Sequence, residues 1–105
     1  MKVSSLTPVE TRLIQSVFQR HPEIVAAKLF GSRAKGTHSP HSDVDLALWG
    51  DIDEIRAESI ATELDELPLP YQFDVKPFAL IKLRSLRDHI QRVGIQFYPE
   101  TATPE

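Results

Sequence analysis

The sequence predicts an α/β (α+β-like) fold of single-domain size. Three observations carry this. Apolar residues at helical spacing alternate with short apolar runs of strand length. Clusters of Gly, Pro, Ser and His punctuate the joins. The chain has 105 residues, the length of one domain. A chain this short buries only about two-thirds of the surface it exposes when unfolded. It makes one modest core and has no room for a second, substrate-holding domain. The expected organisation is one domain over residues 1–105, with a core at about 7–98 and a disordered tail at 99–105.

The first helix starts at Thr7-Pro8-Val9-Glu10, where Thr7 caps, Pro8 suits the first helical position and Glu10 completes a capping box. Its apolar stripe is Val9, Leu13, Ile14, Val17 and Phe18, and His21-Pro22 ends it. Residues 24–30 read as a strand. Residues 31–42 are polar and turn-rich, with one short helical turn expected after Ser32. A second strand at 44–49 stops at Gly50. Asp51 and Glu54 form another capping pattern, and Ile55, Ile60 and Leu64 give that helix its buried face until Pro68 and Pro70 end it. Residues 71–78 read as a third strand, in which Pro77 marks a strand end or a sheet edge. Leu83, Leu86, Ile90 and Val93 define a last helix closed by Gly94. Residues 95–98 form a short strand or an extended tail. No repeat, linker or domain boundary is evident.

Composition narrows the function. Hydrophobic residues make up 41% and charged residues 26%, ordinary values for a globular protein. There is no cysteine, which excludes disulfides and thiolate zinc sites and fits a cytoplasmic location. No signal-like or membrane-spanning apolar run occurs, so no membrane association is expected. The four histidines lack zinc-type spacing, and His38 and His41 read as loop residues. A net charge of −3 argues against direct binding to nucleic acid. The charge is uneven: residues 51–66 are mostly acidic and residues 76–92 mostly basic. These are two solvated helix faces, or the basic one docks an acidic partner.

The chemistry concentrates in residues 30–48, FGSRAKGTHSPHSDVDLAL. Gly31 and Ser32 follow directly on a strand. Gly31 allows a tight turn and close approach of backbone to a ligand, and Ser32 caps the next turn or donates to a phosphate oxygen. Such a pair alone is ordinarily just a turn. Asp43 and Asp45 flank Val44, so alternation sends both carboxylates to one face and Val44, Leu46 and Leu48 to the other. Two close carboxylates repel unless a cation sits between them, and Mg²⁺ takes such oxygen ligands. Asp74 lies between Phe73 and Val75 in the third strand, an unusual place for an acid unless that face is solvated. If this strand neighbours the second, three carboxylates converge. Arg33 and Lys35, and Lys76 two residues after Asp74, offer charge to a triphosphate, although exposed bases beside a loop are usually only solvated.

The Gly-Ser, the ten-residue gap to the paired acids and the strand-embedded third acid together resemble the polymerase β-type nucleotidyltransferase superfamily. The chain looks most like its smallest members, the MNT-domain antitoxins that partner HEPN-domain toxins. The resemblance spans about residues 7–98, including the closing HIQRVGIQFY, with no departure at the motif positions.

The resemblance implies a minimal nucleotidyltransferase fold: a mixed sheet of three or four strands with helices on one face. It implies that Gly31 and Ser32 bind the triphosphate of ATP, with Arg33 and Lys35 beside them. It also implies that Asp43, Asp45 and Asp74 hold two Mg²⁺ ions, with Asp74 near the acceptor hydroxyl. The implied reaction is AMP transfer from ATP to a protein hydroxyl, a tyrosine of a cognate HEPN RNase toxin held in a hetero-oligomer. Two alternatives stay open. One is an antitoxin that masks its toxin without catalysis. The other is the catalytic half of a split small-molecule nucleotidyltransferase of the aminoglycoside type.

Overall fold

The computed structural model describes residues 6–31 and 43–99. The helical turn expected after Ser32 and residues 100–105 of the expected tail lie outside them. The described elements are α1 (Pro8–Gln19), β1 (Ile24–Phe30), β2 (Val44–Gly50), α2 (Glu54–Asp65), β3 (Phe73–Pro77), a 3₁₀ turn (Phe78–Leu80), α3 (Arg84–Val93) and β4 (Ile95–Tyr98). The strands form one four-stranded sheet in the order β3-β2-β1-β4. β1 runs antiparallel to β2 and β4, while β2 and β3 are parallel. The sheet is therefore mixed, as expected.

Helix α1 begins where its capping box dictates. Thr7 Oγ1 accepts the Glu10 N–H at 3.1 Å, and the Glu10 carboxylate accepts the Thr7 N–H at 3.0 Å. Such a cap stabilises a helix by roughly 1 kcal/mol. Tyr71 O–H donates to the second Glu10 oxygen at 3.0 Å, tying this helix start to the segment before β3. Ile14, Val17 and Phe18 form the buried face. Val9 was expected there too but is 63% exposed. At the α-helical repeat it points about 140° away from Ile14.

Helix α2 starts two residues later than its sequence pattern suggests. Its cap is Asp53, whose Oδ1 accepts the Arg56 N–H at 2.8 Å. The Ile52 side chain is buried and its N–H donates to the Gly50 carbonyl at 3.0 Å, so residues 50–52 are held in a turn. The buried face is Ala57, Ile60 and Leu64, and Ile55, expected inside, is 79% exposed. β3 is also shorter than the 71–78 expected. Pro77 closes it at the sheet edge, and Phe78 turns away into the 3₁₀ segment.

Alternation along β2 separates two apolar clusters. Val44, Leu46 and Leu48 pack with Ile14, Val17, Phe18, Ile60 and Leu64 beneath α1 and α2. On the opposite face Ala47 packs with Phe30, Phe78 and Ile90 of α3. The expectation of helices on one face thus holds for α1 and α2, while α3 crosses part of the other. Trp49 stacks on Phe78 with centroids 4.5 Å apart. The Arg87 guanidinium lies 4.3 Å from the Phe78 ring centroid and donates to the Phe78 and Ile81 carbonyls at 3.0 and 2.9 Å. Arg87 is therefore a fastening within the chain rather than a member of a free basic face. Residues 95–98 form a true strand, secured where Gln15 Nε2 donates to the Phe97 carbonyl at 2.8 Å.

His21, which the sequence marks only as a helix end, is buried. Its Nε2 lies 2.8 Å from Glu63 Oε2 and its Nδ1 3.5 Å from Glu23 Oε2. Arg20 pairs with Glu63 at 3.1 Å and Arg56 with Glu23 at 3.1 Å. This network joins the end of α1 and the start of β1 to α2. Among the described residues, no helix is long and apolar enough to cross a membrane.

Candidate nucleotide and cation site

Gly31 ends β1 with φ of +79°, a conformation that side chains other than hydrogen disfavour. A Cβ added there would overlap the Asp45 carboxylate. Phe30, the residue before it, is the register partner of Asp45 on β2. Glycine is therefore required twice over, by its dihedral and by the carboxylate against which it packs. On α3, His89 Nε2 accepts the Gly31 N–H at 3.4 Å, and the His89 ring stands edge-on to Phe30.

Asp45 and Asp74 are register partners across the parallel β2–β3 pair, and alternation sends both side chains to the face that carries Ala47. Asp43 lies exposed just before β2. Burial pushes the Asp45 carboxyl above the ordinary carboxylate range. The negative charges of Asp74 and then Asp43 push it further, and Lys76 opposes them. A group so placed holds its charge at a cost that a bound cation would remove.

Lys76 Nζ lies 3.4 Å from Asp74 Oδ2 with both side chains over 40% exposed, a surface pair of little strength that a ligand displaces easily. Among the described residues, no three His, Cys, Asp or Glu side chains converge to ligate a metal as they stand. The assembled pair is Asp45 and Asp74, with Asp43 adding charge from the strand entrance. These donors are all carboxylate oxygens, which suit Mg²⁺ or another hard divalent cation and not a soft one.

Of the residues expected on the phosphate side, only Gly31 is placed. Ser32, Arg33 and Lys35 lie outside the described residues. His89, to which the sequence gives no zinc-type spacing, also meets this site; its signal in the sequence is its place next to Ile90, the buried anchor of α3. Beside Asp74 a cavity of about 630 Å³ runs along the outer edge of β3, between Glu54 and Glu58 of α2 on one side and Leu80 and Leu83 on the other.

The family described as Polymerase beta, Nucleotidyltransferase matches residues 12–102. No curated protein sequence matches significantly. Several solved structures share the fold. One is a toxin–antitoxin complex with AMP-PNP, at 24% identity and TM-score 0.71 over 85% of this chain and 72% of that one. A second is the MntA–HepT toxin–antitoxin, at 19% identity and TM-score 0.68 over 88% and 72%. A third is a tri-AMPylated Shewanella oneidensis HEPN toxin in complex with MNT antitoxin, at 19% identity and TM-score 0.66 over 86% and 70%.

Proposed function

Because the chain belongs to the polymerase beta nucleotidyltransferase family, we propose that it transfers AMP from ATP, with Mg²⁺, to a hydroxyl of a partner protein. The expected acceptor is a tyrosine of a HEPN-type RNase toxin, for which this chain is the cytoplasmic antitoxin. The observation that carries this reading is the packing of the Gly31 turn on the Asp45 carboxylate, with Asp74 directly opposite Asp45. A turn suited to phosphate and a carboxylate pair suited to a cation thereby meet at one end of the sheet. The likeness to toxin–antitoxin structures that contain AMP-PNP or an AMPylated toxin supports the choice of nucleotide and partner.

Asp45 and Asp74, with Asp43, are the residues that would hold Mg²⁺, which when bound neutralises triphosphate charge and orients the α-phosphate for attack. Gly31 lets the backbone approach the phosphates without a side chain in the way, and Ser32, Arg33 and Lys35 follow it as assigned phosphate-side residues. The acceptor oxygen attacks the α-phosphorus, the bond to the bridging oxygen breaks, and pyrophosphate leaves. Asp74, one of the residues lining the β3 cavity, is assigned to the acceptor side, where it would receive or direct the hydroxyl proton. Lys76 releases Asp74 for that role by turning to the leaving phosphate charge. Most of the rate gain comes from holding the two oxygens in line.

The alternative is masking of the toxin without transfer. Co-expression with the toxin followed by intact-mass analysis separates the readings. AMP-sized additions that vanish in the Asp43→Asn/Asp45→Asn variant support transfer. A toxin silenced yet unmodified by both forms supports masking.

A further inference from the structure

His89 has no part in the reading above, yet it touches the residue on which that reading turns. Helix α3 is anchored by Ile90, fully buried between Phe30, Ala47 and Phe78. The residue before it, His89, is thereby brought to the end of β1. Its ring meets Phe30 edge-on, with centroids 6.3 Å apart. Its Nε2 accepts the Gly31 N–H at 3.4 Å.

The Asp45 carboxylate fills the space where a Gly31 side chain would begin. The Gly31 turn therefore has an imidazole from α3 at its N–H and a carboxylate from β2 beside its Cα. We propose that His89 is a positioning residue for the triphosphate. By accepting the Gly31 N–H it fixes the left-handed turn that brings the backbone to the phosphates and sets that turn against the cation-holding face. This rests on the nucleotide reading of the site. Without the acceptor the turn has one restraint fewer, and ordering it again on binding costs affinity.

The test compares three proteins by calorimetric titration with ATP and Mg²⁺: wild type, His89→Leu and His89→Gln. Leucine keeps the apolar packing on Phe30 and removes the acceptor, whereas the glutamine amide oxygen restores one. Removing a neutral hydrogen bond at the turn should weaken ATP binding by about three- to tenfold in His89→Leu. His89→Gln should bind within about twofold of wild type, since the acceptor is retained. Inorganic tripolyphosphate, which carries no base or ribose, should show the same ranking in competition. If His89→Leu binds as wild type does, or if Leu and Gln variants are equally weak, the assignment is overturned. If His89→Leu fails to fold, His89→Asn, one methylene too short to reach, takes its place in the comparison with Gln. No ATP binding by the wild type would overturn the nucleotide reading itself, and the assignment with it.

Discussion

Asp45 on β2 stands directly opposite Asp74 on β3, in parallel register, and both carboxylates leave the sheet on the same side. Antiparallel strands bring such residues together readily through a hairpin, but parallel neighbours need a crossover, here α2. The two acids are 29 positions apart in the chain and meet only because α2 returns it to the sheet edge.

Asp45 should cost the cation-free protein stability. Its folded pKa is raised above the ordinary carboxylate value, so the native state binds the proton more tightly than the unfolded chain. Stability from this group falls as pH rises from the unfolded carboxylate pKa through the raised folded one. Asp45→Asn should therefore raise Tm at neutral pH without divalent cations, by about 2–5 °C, and the gain should shrink in acid. Thermal melts across pH check this, and a lower Tm at neutral pH would contradict it.

The same substitution should harm binding. Mg²⁺ should strengthen ATP binding to the wild type by at least about tenfold, because bare carboxylates repel a triphosphate. Asp43→Asn/Asp45→Asn should lose that enhancement while giving an unchanged circular dichroism spectrum. ATP affinity that ignores Mg²⁺ in the wild type would remove the carboxylates from the site.

Gly31→Ala should be damaging out of proportion to one methyl group. The left-handed dihedral strains any side chain, and the Cβ meets the Asp45 carboxylate. A loss of about 1–3 kcal/mol in urea unfolding is expected from the dihedral alone. ATP binding should be lost as well, and calorimetry on the folded fraction would show it.

Glu63 should stabilise the fold in a pH-dependent way. Partial burial pushes its carboxyl up, but hydrogen bonds from Arg20 and His21, aided by their charge, outweigh that and hold its pKa below the ordinary value. The contribution is present above the unfolded carboxylate pKa and is lost as pH falls through the folded one. Glu63→Gln should cost about 1–2 kcal/mol at pH 7, the lower part of the worth of a hydrogen bond to a charged group, because Arg20 is exposed and solvent screens the pair. The deficit should close as pH falls through that lowered pKa. An equal deficit above and below that pKa in urea titrations would show that packing, not charge, is responsible.

Much could be read from local chemistry. Thr7, Pro8 and Glu10 set the start of α1 because a capping box needs only neighbours three residues apart. The limits of β1 followed from an apolar run between His21-Pro22 and Gly31, and the inward set Val44, Leu46 and Leu48 from a two-residue repeat. The Gly31 turn and the paired acids could be located for the same reason: the constraint and the residues that satisfy it lie together in the chain. What lay beyond reach depended on distant partners. Alternation says which side chains share a face but not which strand lies alongside, so the meeting of Asp74 with Asp45 waited on the parallel register. The burial of Ile52 moved the α2 cap to Asp53, and the pocket for Ile90 sent α3 to the opposite face. His89 beside Gly31 and His21 between two glutamates are products of that packing. A polar side chain bonded across the fold leaves no periodic trace in its own segment; only the folded chain brings the two halves of the bond together.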